Sequence, residues 1–195
     1  MKFVALDYET SGLDPKRHAP VSLGVAVFED GVVTHSKEWV IAPPMKDGRV
    51  TREYDVFALQ VSGLTLKALN SGQPIAEVMK ELVRFAGEHQ VQESLVVAFN
   101  APFDYSFYSE CLFMGGSWNQ RERRFETFKP PLSGPWQCAR MLCVHALDLD
   151  KYNLDSCAGH YGLQRDTDKH GALEDAILAG KIYHLLTDGV RERVA

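Results

Sequence analysis

The sequence predicts an α/β domain built on a mixed sheet, and three observations carry that expectation. Apolar, strand-like runs open the chain (residues 3–6, FVAL) and recur in its middle (residues 95–99, LVVAF). Two further runs, 21–28 and 32–41, are joined by Glu29-Asp30-Gly31, a hairpin-turn signal that makes them an antiparallel pair. Segments of helical periodicity lie between and after these runs, which calls for a mixed sheet rather than a purely antiparallel one.

Taken in order, Lys2 to Tyr8 reads as a buried strand, Val21 to Phe28 and Val32 to Ile41 as the hairpin, and Pro43 to Arg52 as a loop. A short helix is expected around Leu64 to Leu69. A longer one from Ile75 to about His89 carries Ile75, Val78, Met79, Leu82, Val83 and Phe85 as its apolar stripe. Leu95 to Phe99 is apolar throughout and so reads as a central strand. Asn100 then caps a helix that tolerates Pro102 in its first turn. Gly115 to Pro135 is the least ordered stretch by composition. Helices are expected at Ala139 to Leu147, Leu154 to Tyr161 and Gly171 to Thr187.

With 195 residues, 45% hydrophobic and 24% charged, the chain suits one domain with a sizeable core, taken as a single unit over residues 1–195. No apolar run approaches the ~20 residues that span a bilayer. MKFVALDYE turns acidic before a secretory leader's apolar core is built, so neither a leader nor a membrane partner is expected. Cys111, Cys138, Cys143 and Cys157 have no disulfide-framework spacing, which points to a reducing, cytoplasmic setting. Zinc is the rival use of cysteine: Cys138, Cys143, His145, Cys157 and His160 are ligand types. Apart from Cys157-x2-His160 they lack the tight pairs of a structural site, and small core residues on helices are the expectation.

The chemistry begins at Asp7 and Glu9. Side chains alternate along a strand, so both point to one face. Two carboxylates side by side at the end of a buried strand repel each other unless a cation lies between them. Oxygen-only ligands suit Mg²⁺ or Mn²⁺. Asp104 falls in the first turn of the helix after the fourth strand; if that strand lies beside the first, Asp104 emerges at the same edge of the sheet. His170 precedes a helix whose second turn carries Asp175, which lets the acid face metal and leaves the imidazole free to take a proton. The net charge of −5 argues against a broad duplex-binding face, but two divalent ions on these acids would bring it to −1 and attract phosphate locally.

Asp7-Tyr8-Glu9-Thr10-Ser11-Gly12, Asn100-Ala101-Pro102-Phe103-Asp104 and His170 through Asp175, in this order, resemble the three motifs of the DEDDh 3′–5′ exonucleases. The likeness extends from Val61-Ser62-Gly63-Leu64-Thr65 to Leu154-Asp155-Ser156-Cys157, nearly the whole chain. It implies an RNase H-like mixed five-stranded sheet flanked by helices, and hydrolysis of single-stranded DNA or RNA from the 3′ end to nucleoside 5′-monophosphates. Two Mg²⁺ ions, replaceable by Mn²⁺, would be the cofactors. On that likeness Asp7 bridges both ions, Glu9 and Asp175 hold the ion that binds the attacking water, Asp104 supports the second, and His170 is the general base.

Substrate contacts implied by the same motifs fall on Thr10, Gly12, Leu13, Asn100 and Phe103, with Leu13 as an apolar wedge between the last bases. Lys16-Arg17-His18 and Arg121-Glu122-Arg123-Arg124-Phe125 are basic stretches that either meet phosphates or are solvated. Three departures from the family pattern bear on substrate preference: Phe99 stands where a His is common, Ser62 interrupts the Val-His-Gly-Ile stretch, and Gln137-Cys138 replaces Asp-Thr. DNA is the favoured substrate, in proofreading or repair. The alternatives are RNA cleavage of the RNase T or oligoribonuclease kind and a non-catalytic, polymerase-associated binding module, which the complete acid set argues against. A DNA polymerase or a second copy of the chain are the possible protein partners.

Overall fold

The computed structural model describes residues 1–165 and 171–191. β1 (Lys2–Thr10), β2 (Pro20–Glu29) and β3 (Val32–Val40) form an antiparallel meander. Asp30 and Gly31 both take positive φ, 49° and 82°, as the tight turn between β2 and β3 requires. Where a loop was expected after β3, β4 (Met45–Lys46) and β5 (Arg49–Val50) make a small hairpin around Asp47-Gly48. The single helix expected near Leu64 is instead two. α1 (Val56–Ser62) is capped by the Asp55 carboxylate and closed by Gly63 at φ 67°; α2 (Leu66–Asn70) is capped by Thr65.

α3 (Ile75–Glu88) buries the expected stripe, except that Val83 faces solvent. β6 (Val96–Ala98) is parallel to β1 and leads into α4 (Ala101–Met114). The stretch read as least ordered holds a hairpin, β7 (Ser117–Asn119) and β8 (Arg124–Glu126), and then β9 (Trp136–Cys138), parallel to β6. Composition hid these strands because each is only three residues long. α5 (Ala139–Ala146), α6 (Leu154–His160) and α7 (Ala172–Arg191) complete the chain.

The main sheet is ordered β3-β2-β1-β6-β9, five-stranded and mixed as the RNase H-like expectation required. β6 is an interior strand buried along its length, as expected, and β1 is the middle strand of the five. Period-two alternation splits the core in two. Val4, Leu6 and Tyr8 pack under α3 and α4, whereas Phe3 and Ala5 pack with Phe28 beneath α7. Phe3 stacks on Phe28 at 4.8 Å and meets the edge of Tyr183 at 5.1 Å. Large side chains buried this completely contribute ~1.5–3 kcal/mol each, which anchors α7 to the β1–β2 ladder. Among the described residues no helix is long and apolar enough to cross a membrane.

Candidate active site

Asp7 and Glu9 continue the Phe3/Ala5 face of β1, so they emerge beneath the N-terminal end of α7. Asp175 lies in the first turns of that helix. One carboxylate oxygen from each of Asp7, Glu9 and Asp175 lies within 4.8 Å of the others. Opposite oxygens on an octahedral Mg²⁺ sit about 4.1 Å apart, so a small inward turn of these side chains would let all three ligate one ion.

The close approach of α7 to β1 is set by a residue that carries no chemistry. Gly24 pairs with Asp7 across the β1–β2 ladder. A Cβ there would lie 2.2 Å from the backbone of Ala172 and Leu173. Gly180 does the same further along: a Cβ would lie 2.3 Å from the Phe28 ring. Both glycines act by lacking a side chain, and α7 rests on the sheet because of them. Glu38, paired with Gly24 from β3, accepts the Leu173 N–H at 3.4 Å.

Asp104 arrives from the other layer. β6 ends at Ala98, and beyond it the N–H of Tyr8, between Asp7 and Glu9, donates to the Asp104 carboxylate at 3.1 Å. This bond places α4 on β1, with Asp104 only 2% exposed. Asn100 occupies the N-cap position of α4, but its side chain makes no capping bond, contrary to the sequence expectation. Its carbonyl accepts from Phe103 N–H at 2.8 Å, and its exposed side chain joins Arg140 and Lys151 around a pocket of about 560 Å³.

The acids are held in a state that favours protons or cations. Burial pushes Asp7 well above the usual carboxylate range, and the charges of Asp104, Asp175 and Glu9 push it further. Burial likewise raises Glu9 to about 7, helped by Asp175, and raises Asp104 to about 7 against the lowering effect of its backbone hydrogen bonds. One cation already reaches the cluster: Arg165 pairs with Asp175 and, through Nε, with Asp155 at 2.6 Å. Buried, crowded, all-oxygen donors with a guanidinium beside them are a site built for positive charge, and they fit a divalent ion.

The remaining motif residues divide. Ser11 is structural: fully buried, it donates to the Glu53 carbonyl at 2.6 Å and accepts from Ala19 N–H at 2.8 Å. Thr10 donates to the Gly12 carbonyl at 2.8 Å. Gly12 takes φ 157° and carries the His18 ring where a Cβ would stand. Leu13 is 82% exposed beside them, free of any core role. Phe103 is half-buried against Phe107. Lys16 and Arg17 are not simply solvated, since Lys16 bonds Glu110 at 2.5 Å and Arg17 bonds Glu53 at 2.8 Å. His170 lies outside the described residues, as do Asp166, Asp168 and Lys169. Among the described residues the zinc-type set forms no ligand cluster: Cys143 lies against Cys157 in the core, but His145 and His160 face solvent.

Sequence reasoning missed Gly24, Arg165, Arg140 and Lys151. Only Arg165 left a signal, a cation ten residues before a proposed metal ligand.

The five-stranded mixed sheet carries Asp7 and Glu9 at the end of its first strand, the layout that the likeness to the DEDDh exonucleases led one to expect. The RNase T family model, an exonuclease model, matches residues 4–183, and the chain belongs to that family. It is 28% identical over 183 residues to a PolC-type DNA polymerase III of Thermotoga petrophila, covering 93% of this chain and 11% of that protein. The chain thus spans about a tenth of the length of its PolC-type relatives. It is 27% identical over 192 residues to the DNA polymerase III epsilon subunit of Rickettsia felis, covering 97% of this chain and 75% of that one. In fold it resembles the nuclease domain of 3′hExo, a DEDDh family member bound to rAMP, with a TM-score of 0.73 and 14% identity over 96% of this chain and 92% of that one.

Proposed function

We propose that this chain is one exonuclease domain that removes nucleotides from the 3′ end of single-stranded nucleic acid, preferentially DNA, releasing nucleoside 5′-monophosphates. The observation that carries it is the convergence of Asp7, Glu9 and Asp175 within 4.8 Å, with Asp104 tied to the backbone between the first two. The polymerase III relatives favour DNA and a polymerase partner. The four cysteines, unpaired, suit a cytoplasmic setting.

Asp7, Glu9 and Asp175 would hold one Mg²⁺, and Asp7 with Asp104 a second. Bound there, the ions supply charge stabilisation at the attacking and leaving oxygens of an in-line displacement. His170, five residues before Asp175, takes the proton of the attacking water. Leu13, 82% exposed beside the Gly12 turn, would stack against the terminal base, and Thr10, Asn100 and Phe103 are the further substrate contacts that the motif likeness assigns.

The test is a gel assay on 5′-labelled DNA and RNA of one sequence, with Mg²⁺, Mn²⁺ or EDTA, beside Asp175→Ala and His170→Ala. A ladder shrinking from the 3′ end, lost in EDTA and in Asp175→Ala, is the expected result, with DNA the faster lane. No cleavage of either strand by the folded, metal-supplied protein would overturn it.

A further inference from the structure

We propose that the β7–β8 hairpin, with Phe113 and Lys16, is a second nucleic-acid contact that grips the single strand about four nucleotides upstream of the acidic cluster. Trp118 and Phe125 are cross-strand partners in that hairpin, 54% and 43% exposed, so their rings share one open face. Phe113, 51% exposed at the end of α4, packs on Phe125 with ring centroids 5.0 Å apart. Lys16 lies over Phe113 at 5.7 Å, and Leu13 stands three residues before it in the same loop. Lys16 thus ties the exposed aromatic surface to the loop that carries Leu13.

Charge points the same way. Asn119 Oδ1 accepts the N–H groups of Arg121 and Glu122 at 3.0 and 3.1 Å and so shapes the hairpin turn. Both carboxylates of the hairpin, Glu122 and Glu126, are spent on Arg124. Arg121 and Arg123 have no carboxylate partner among the described residues, in a chain of net charge −5. Arg123 holds a left-handed backbone, φ 52°, where glycine or asparagine is the easier residue. Two free guanidiniums beside exposed rings match a phosphate backbone with splayed bases, which only a single strand offers.

The spacing follows from α4. Phe113 lies nine residues beyond Asp104, about 13–14 Å along the helix at 1.5 Å per residue. A stacked strand advances about 3.4 Å per nucleotide, so roughly four nucleotides bridge the two surfaces. This inference rests on the exonuclease reading for its direction along the strand, but not for the contact itself.

The experiment is fluorescence anisotropy of labelled trimers and 12-mers, as DNA and as RNA, with Ca²⁺ present and no catalytic metal. Wild type, Trp118→Ala and the double variant Arg121→Ala/Arg123→Ala are compared. Wild type is expected to bind the 12-mer at least about tenfold more tightly than the trimer. Both variants lower 12-mer affinity toward the trimer value and leave the trimer unchanged. The double variant also flattens the log K against log salt slope by about 1.4. Equal affinity of wild type for both lengths, or variants that keep the full gap, would overturn the proposal. A length gap lost in the variants, with no hydrolysis of any strand by wild type in the separate gel assay with Mg²⁺ or Mn²⁺, would retire the exonuclease reading and leave this contact standing; hydrolysis in that assay without the gap does the reverse.

Discussion

Arg165 donates Nε to Asp155 at 2.6 Å and a terminal nitrogen to Asp175, so the acid that closes the proposed metal site is also one end of an ion pair. Arg165 is 11% exposed and Asp175 9%, which makes the pair costly to break on one side only. The guanidinium counters part of the repulsion among Asp7, Glu9 and Asp175, since it lowers the first two where the other acids raise them. It also competes for the oxygens a metal needs.

Arg165→Gln therefore separates two roles. Metal-free protein should melt about 3–6 °C lower, because a buried carboxylate loses its counter-ion. Mn²⁺ should bind about three- to tenfold more tightly, because the Arg165 guanidinium no longer competes for the Asp175 oxygens. Calorimetric melting and Mn²⁺ titration measure the two effects independently. An unchanged Mn²⁺ affinity would show that the pair lies off the ligand path.

Asp7→Asn should stabilise the metal-free protein while ending its activity. Asp7 is strained by burial and by three neighbouring carboxylates, and an amide of the same shape removes that charge. The expected gain is about 1–2 kcal/mol, read as a Tm rise of roughly 2–6 °C in EDTA. Turnover on single-stranded DNA should fall at least about 10³-fold. A lower Tm in EDTA would mean the acids are not in conflict.

The metal-free protein should lose stability as pH rises. Glu9 and Asp104 are raised to about 7 in the folded state, against about 4 when unfolded. Between those values the folded chain holds protons that the unfolded chain has released, so the contribution of these two groups to stability is full below about pH 4 and drains away through pH 7. Melts in EDTA should fall by about 5 °C or more from pH 5.5 to pH 8, and saturating Mg²⁺ should flatten the slope. A profile that rises with pH would contradict the burial of these groups.

Gly24→Ala should damage the site without touching an acid. Its methyl group meets backbone 2.2 Å away, so α7 must move off the sheet. A cost of at least about 1–3 kcal/mol follows, or a Tm loss of roughly 3–10 °C. Metal affinity should weaken as well, because Asp175 travels with α7. Gly87→Ala is the control: its nearest neighbour lies 3.6 Å away, and it should be close to neutral.

The strands long enough to show a pattern, β1, β2 and β3, were legible, as were α3 and the acids at Asp7, Glu9, Asp104 and Asp175. Local periodicity and motif spacing are written in consecutive residues, and no tertiary contact is needed to see them. β9 was not legible from the residues alone, because three half-buried positions have no period of their own and become a strand only by pairing with β6. The hairpin at 117–126 was hidden in the same way.

Which chemical groups the protein carries, and in what order, is written in its residues alone. Whether those groups form a site was decided by packing. β1 alternation turns Asp7 and Glu9 toward α7, the Tyr8 N–H holds Asp104, and Gly24 lets Asp175 come close. Each of these is a contact between residues distant in the chain, and a distance of a few ångströms depends on what lies between two backbones, which only the folded structure contains.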